Sequence, residues 1–208
     1  LLNAPCTRMT GIVNPNNAHP TLKPYPYDPE ISEYLLDQAG YPRDANGVRF
    51  EMTLQAGEGR YLNDKNVVLA ICQYLDDVGV KTNCEIMDWS SVYIPLIIKK
   101  AAGPMYFIGS GGATWSPLYD MADLSKPDSG PNYTKWMNEE WFKGWKVINN
   151  TTNEYIIRRE VDRMLEVFYN EGPWLHLYFQ PDFYGVSNRV NWSPRRDEKV
   201  DLFKATLK

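Results

Sequence analysis

The chain has 208 residues, enough for one α/β domain with a sizeable core and too few for two generous ones. Its 22 Lys and Arg against 26 Asp and Glu leave a mild acidic excess, so the basic face that a nucleic-acid binder gathers is missing, and no run approaches the ~20 apolar residues of a membrane span. Aromatic residues make up 13% of the chain, with 7 Trp and 14 Tyr, which an aromatic core or a ring-lined groove would each account for.

Residues 1–28 read as extended coil. Asn14-Pro15-Asn16-Asn17 and then Pro20, Pro24 and Pro26 block regular helix, so this segment must lean on something larger. Asp28-Pro29-Glu30 is a helix start, with Asp28 as the cap and Pro29 in the first helical position. Ile31, Tyr34, Leu35 and Gln38 share one face of that helix, and Gly40 followed by Pro42 ends it. Arg49 to Ala56 has the period of a strand, broken by Gly57-Glu58-Gly59-Arg60. Asp64 is placed to cap a helix running to about Val78, which Gly79 stops. Val80 to Met87 is a second strand. Asp88-Trp89-Ser90 opens a second helix, disturbed at Pro95, and Met105 to Ile108 is a short third strand ending in Gly109-Ser110-Gly111-Gly112.

This order predicts parallel strands with right-handed crossovers, and ligands gather where the carboxyl ends of such strands meet helix starts. The loops 57–61, 88–91 and 109–120 qualify. Beyond them, 125–135 is a polar loop, Asn138 to Ile148 and Thr152 to Asn170 are helices, and Trp174 to Gln180 reads as a half-buried strand. On the longer helix Ile157, Val161, Met164, Leu165 and Phe168 point inward, and Glu154 and Arg158 have the spacing of an ion pair.

Few residues carry recognisable chemistry. Gly109-Ser110-Gly111-Gly112 fails the dinucleotide pattern at Thr114 and has no Walker Lys-Ser/Thr end, so no nucleotide cofactor is expected. His19 and His176 have no second ligand at metal spacing and no nucleophile beside them, which leaves one surface and one partly buried imidazole and no metal. The three cysteines, Cys6, Cys72 and Cys84, form neither a disulfide framework nor a zinc pattern. Cys72 and Cys84 fall on a predicted helix and the next strand, where two small buried thiols are the expected state and a bridge is the alternative. Glu51, Glu85, Asp88, Asp120 and Asp123 are scattered; a pair of them converging on a pocket would make a carboxylate-based hydrolase the alternative function. Trp115, Tyr119, Tyr133 and Trp136, grouped in loops rich in Gly, Pro and Ser, are the strongest binding candidates by chemistry. The Asn-x-Ser/Thr runs at Asn132, Asn149, Asn150 and Asn191 carry little weight.

Several phrases fall in one order. Tyr25-Pro26-Tyr27-Asp28-Pro29-Glu30 is followed by Leu35-Leu36-Asp37-Gln38-Ala39-Gly40-Tyr41-Pro42. Ala70-Ile71-Cys72-Gln73-Tyr74-Leu75 leads to Val78-Gly79-Val80, then Met87-Asp88-Trp89. Arg158-Arg159-Glu160 leads to Glu171-Gly172-Pro173-Trp174-Leu175-His176-Leu177-Tyr178-Phe179-Gln180. From Tyr25 to about Val190 this set resembles the bacterial extracellular solute-binding proteins of family 5.

The resemblance implies a lobe of the type II periplasmic-binding-protein fold: a mainly parallel βαβαβ sheet flanked by helices, with C-terminal helices and a tail strand. It further implies that residues 1–27 are a linker from a missing N-terminal lobe, 28–172 the C-terminal lobe, and 173–208 a tail that returns to the first lobe. The whole receptor would be periplasmic or extracellular. It would trap a peptide, oligosaccharide or similar small polar solute by hinge closure and deliver it to an ABC permease, with no chemistry or cofactor of its own. The isolated lobe would expose apolar surface and favour self-association. Peptide binders of the family show Gly-Trp and then an Asp after the third strand; here Ser110 follows Gly109, and Trp115 and Asp120 stand further along the loop. In this reading Gly111, Gly112, Trp115, Ser116 and Asp120 line the cleft, followed by Arg60, Tyr61, Tyr133 and Trp136.

Overall fold

The computed structural model describes residues 6–110, 114–124, 129–195, 197 and 199–208. In chain order the elements are β1 (Thr7–Arg8), α1 (Pro29–Gln38), β2 (Phe50–Glu58), α2 (Asp64–Asp77), β3 (Val80–Asp88), a π-helical turn (Trp89–Tyr93) running into α3 (Ile94–Ile98), β4 (Met105–Phe107), α4 (Pro117–Met121), α5 (Glu139–Ile148), α6 (Glu154–Glu171), β5 (Tyr178–Phe179), β6 (Val190–Asn191) and β7 (Thr206–Leu207). The chain divides into two compact units. One holds Tyr25–Gly109 and residues 129–136; the other holds residues 6–24, 110, 114–124 and 137–208.

The first unit is the α/β part. Its sheet has the order β3-β2-β4, all parallel, with β2 central. Alternation along β2 decides its two faces. Leu54 and Ala56 are buried against Val68 and Cys72 of α2, with Cys84, Ile86, Met105 and Phe107 completing that core. Between them, Gln55 turns its backbone carbonyl to the Tyr93 hydroxyl, 3.4 Å away. Asp28 caps α1 by accepting from the Ile31 N–H at 3.0 Å, and Gly40 takes the left-handed φ of 87° that ends the helix. Pro95 lies in the first turn of α3, after the π-helical turn that breaks the helix expected over 88–100.

Asp64 does not cap α2. Asn63 occupies the cap position with φ 54°, and the Asp64 carboxylate instead accepts from the N–H groups of Arg60 and Tyr61 at 2.9 Å each. Cys72 and Cys84 are joined as a disulfide between α2 and β3, with 6.5 Å between their Cα atoms, which corrects the expectation of two thiols. The parallel βαβ unit brings helix and strand within bridging reach, a distance that sequence spacing does not reveal.

The second unit is built on a helical hairpin. Asn138 and Asn153 cap α5 and α6, the latter accepting from Tyr155 and Ile156 N–H at 3.0 and 3.2 Å. Val161, Met164, Leu165 and Phe168 of α6 are buried with Trp141, Trp145 and Ile148 of α5. Gly144 permits the close crossing, since a Cβ there would overlap the Met164 sulfur. Arg158 pairs with Asp162 at 2.8 Å rather than with Glu154; a partner one turn ahead was equally within its reach. Residues 6–24 lean on this hairpin as irregular chain with a 3-10 turn at Pro15–Asn17. Lys23 and Ala18 carbonyls accept from Tyr169 and Arg158, and His19 Nε2 lies 3.3 Å from Glu166. That contact leaves the His19 side chain only 8% exposed, so it is not the surface imidazole expected. Of the strand expected over 174–180 only Tyr178–Phe179 forms a ladder, antiparallel to Thr7–Arg8. Among the described residues no helix is long and apolar enough to cross a membrane.

Candidate ligand-binding site

The strand order places two loops of the first unit at a switch point. From β2 the chain moves to β3 on one side and then crosses to β4 on the other, so the β2 and β4 carboxyl ends flank the crevice where parallel α/β sheets bind ligands. Four rings fill this end. Tyr61 meets Trp89 edge-on at 5.3 Å and Phe107 at 6.0 Å, and Trp89 lies 5.6 Å from Tyr93. The Tyr61 hydroxyl accepts from the Gly109 N–H at 2.8 Å, and the buried Tyr93 hydroxyl donates to the Phe107 carbonyl at 2.5 Å. Burial raises the pKa of both phenols, so both carry their protons at neutral pH. Arg60 is exposed, with its guanidinium 5.5 Å from the Tyr61 ring centroid. Asp64 braces the loop. Burial alone would raise its pKa, but the backbone N–H groups of Tyr61, Arg60, Lys65 and Gly59 outweigh it and hold the carboxylate below its usual value.

Tyr133 and Trp136 belong to the same unit, in a turn organised by the fully buried Asn132. The Asn132 side chain accepts from Trp136 N–H at 3.1 Å and donates to the Trp136 carbonyl at 2.9 Å. Both rings are half-buried. The Tyr133 phenol is close enough to act on Tyr106, whose pKa burial, with that neighbour, pushes up to about 12.

Trp115, Ser116 and Asp120 are together in the second unit, around the 14–17 turn. Trp115 holds a φ of 58°, strained for a non-glycine residue, and its carbonyl accepts from the Asn17 amide at 2.7 Å. Ser116 precedes α4 without a side-chain cap bond. Asp120 is buried; its Oδ2 accepts from the Asn14 N–H at 3.1 Å and from the Asn14 amide at 3.4 Å, while Oδ1 has no partner among the described residues. Burial raises its pKa and that of Asp123, on which Asp120 also acts. Gly111 and Gly112 lie outside the described residues. The sequence reading placed Trp89 in a candidate ligand loop, 88–91, without singling it out, and missed Tyr93, Asn14, Asn17 and Asn132 as site-building residues. The signals were the Asp-Trp after β3, whose ring was not followed into the next turn, and the Asn-Pro turn, read only as coil. Among the described residues no three His, Cys, Asp or Glu side chains cluster to hold a metal ion.

The three-stranded parallel sheet of the first unit and the helical hairpin of the second are an α/β fold that solved periplasmic binding proteins share. Solved members superimpose closely. HbpA2 from Haemophilus parasuis covers the whole chain at a TM-score of 0.81 and 16% identity. The dipeptide-binding protein of a Pseudoalteromonas species, solved with Met-Leu, covers 98% at 0.77 and 19%. The chain spans 41% and 40% of their lengths. The chain belongs to the bacterial extracellular solute-binding proteins, family 5, whose middle region matches residues 3–132. Its relatives are binding proteins rather than enzymes. Di/tripeptide-binding protein 2 of Pseudomonas aeruginosa is 24% identical over 165 residues, 76% of this chain and 29% of that protein. The glutathione-binding protein GsiB of Escherichia coli is 29% identical over 181 residues, 82% of this chain and 34% of that one. The chain thus spans about a third of the length of these relatives.

Proposed function

We propose that this chain is the C-terminal lobe of a solute receptor that captures a small peptide or similar polar solute and hands it to an ABC permease. The observation that carries this reading is the ring cluster at the β2 and β4 carboxyl ends, in a chain whose family captures extracellular solutes. Flat rings offer large contact area at low entropic cost, and a crevice at strand ends presents backbone donors beside them. Arg60 and Tyr61 are the solute-facing residues of the first unit in this reading, with Tyr133 and Trp136 as a second aromatic group. Gly111, Gly112, Trp115, Ser116 and Asp120 act for the second unit. Residues 28–172 then form the lobe proper, with 1–27 as a linker.

The tail, 173–208, is proposed to return to the missing lobe. Leu175, Phe183, Leu202 and Phe203 are exposed along it, with Phe203 92% so, and apolar side chains of that number call for a cover. In the isolated lobe the same surface would drive self-association. A disulfide between Cys72 and Cys84 suits a periplasmic or extracellular location, since reducing compartments keep thiols free.

Thermal-shift titration of the full-length protein with di- and tripeptides, glutathione and oligosaccharides tests the reading. A receptor gains about 2.7 kcal/mol at a solute concentration of 100 Kd and returns the solute unchanged. Turnover of the stabilising solute would replace this reading with an enzymatic one.

A further inference from the structure

The β2 and β4 ladders part at a definite rung. Their last paired residues are Ala56 and Phe107, while β2 continues beside β3 to Glu58. Beyond Phe107, the edge of β4 that faced β2 has lost its backbone partner, and unpaired backbone groups are costly unless something else takes them. Two tyrosines do. The Tyr93 hydroxyl stands where the strands part, 2.5 Å from the Phe107 carbonyl and 3.4 Å from that of Gln55. The Tyr61 hydroxyl takes the Gly109 N–H at 2.8 Å. Phe107 O and Gly109 N bracket Ile108, and in an extended strand groups two residues apart project from the same edge.

Two glycines make this arrangement possible. A Cβ on Gly57 would come within 2.7 Å of Trp89 and 2.8 Å of Tyr93, and one on Gly109 within 2.7 Å of the Tyr61 ring. Real side chains do not tolerate such separations, and both obstacles are rigid rings packed against other rings. Asp64 fixes the backbone from which Tyr61 projects, through its bonds to the Arg60 and Tyr61 N–H groups. The hydroxyl position is therefore set by the sheet and the start of α2, not by the loop after β4.

We propose that Tyr61 and Tyr93 are positioning residues that take over the hydrogen-bond ladder beyond Phe107 and fix the path on which the chain leaves β4. The loop after β4, from which the proposed function draws solute-contact residues, thereby leaves the sheet from a fixed point at Gly109. The Gly109 N–H is already occupied by a phenol, so at this position a solute meets the Tyr61 hydroxyl rather than that backbone donor. This inference rests on the receptor reading only for the purpose of that segment; the latch itself is a property of the sheet.

Hydrogen exchange by mass spectrometry on the full-length protein tests it. Tyr61→Phe keeps the ring and removes the acceptor. Exchange in the 105–110 peptide should rise about three- to ten-fold, the effect of losing one hydrogen bond, while peptides from β2 and α2 and the melting temperature stay unchanged. Gly109→Ala keeps the N–H but pushes the ring away, and should produce the same local rise. Unchanged exchange at 105–110 in both variants overturns the proposal, as does a uniform rise across the unit, which would mark Tyr61 as ordinary core. For a solute identified by the titration, Tyr61→Phe should weaken binding; full affinity despite local loosening overturns the positioning role and leaves the receptor reading intact. If no solute is found, the receptor reading fails and the exchange result still decides the latch.

Discussion

Helices α1 and α6 have similar amphipathic patterns and opposite fates. On α6 the apolar stripe disappears into the hairpin, with Phe168 only 1% exposed between Trp141 and Trp174 at ring distances of 5.4 and 5.7 Å. On α1 no residue is buried, and Leu35 is 57% exposed beside Ile31 and Tyr34. Polar contacts to Arg49 and Arg43 hold α1 instead. The nearly buried Arg49 guanidinium bonds Asp37, the Tyr41 carbonyl at 2.7 Å and Val78 O at 2.9 Å, while Arg43 bonds Glu33 and Asp77 O at 2.8 Å each. These contacts lower the Glu33 pKa through the Arg43 hydrogen bond first. A helical period thus marks a stripe without saying whether this chain covers it. α6 is fastened by area and α1 by directed bonds.

The sharpest test of this contrast is truncation in the hairpin. Phe168→Ala should cost about 3–5 kcal/mol, the range for an aromatic removed from a packed core, read by urea denaturation with tryptophan fluorescence. A loss under about 1 kcal/mol would mean that the hairpin core is not packed as described. Next in size is the bridge between α2 and β3. Replacing Cys72 and Cys84 by Ala should remove roughly 3 kcal/mol, as expected for a closed loop of this length, and thiol labelling of the denatured, unreduced protein should modify neither Cys72 nor Cys84. Labelling of both would return the pair to the unbridged state.

The third test is pH. His176 packs 5.4 Å from the Phe168 ring with Nε2 buried and without a partner among the described residues, and burial lowers its pKa to about 4. The unfolded chain binds this proton with a pKa near 6.5, so the native state is at full strength above that value and weakens as pH falls towards 4. The loss should be on the order of 3 kcal/mol. His176→Phe should flatten the stability profile across that window, and an unchanged slope would assign the acid sensitivity elsewhere. The smallest effect belongs to α1. Leu35→Ala should shift stability by less than about 0.5 kcal/mol, as surface positions do. A loss of several kcal/mol in the full-length protein would reveal that another part of that protein covers this face.

Local chemistry was legible along the chain. Asp28 and Gly40 bound α1 as read, and the alternating βαβαβ order emerged from apolar period and glycine breaks. Of the five residues read as inward on α6, Val161, Met164, Leu165 and Phe168 are buried, while Ile157, one turn from the helix start, is only half-buried. Less legible was whatever needed a second segment. Asp64 looked like a cap because Asp before an apolar run usually is one, yet its carboxylate serves the loop before it. His19 looked exposed because its neighbours are Pro and Asn, yet Glu166, distant in sequence, reaches it. Trp115 and Asp120 were singled out, while Asn17 and Asn14, which hold them, were passed over as coil.

By itself the sequence determined where helices and strands start and stop, because caps, glycine turns and apolar periods act within a few residues of chain. Its ordered phrases also determined the family. Only the tertiary structure decided the strand order β3-β2-β4, the bridge between Cys72 and Cys84, the two phenols that finish the β4 edge, and which stripe was buried. Each of these depends on groups far apart in sequence coming within a few ångströms, and distance in space is a property of packing that no local pattern encodes.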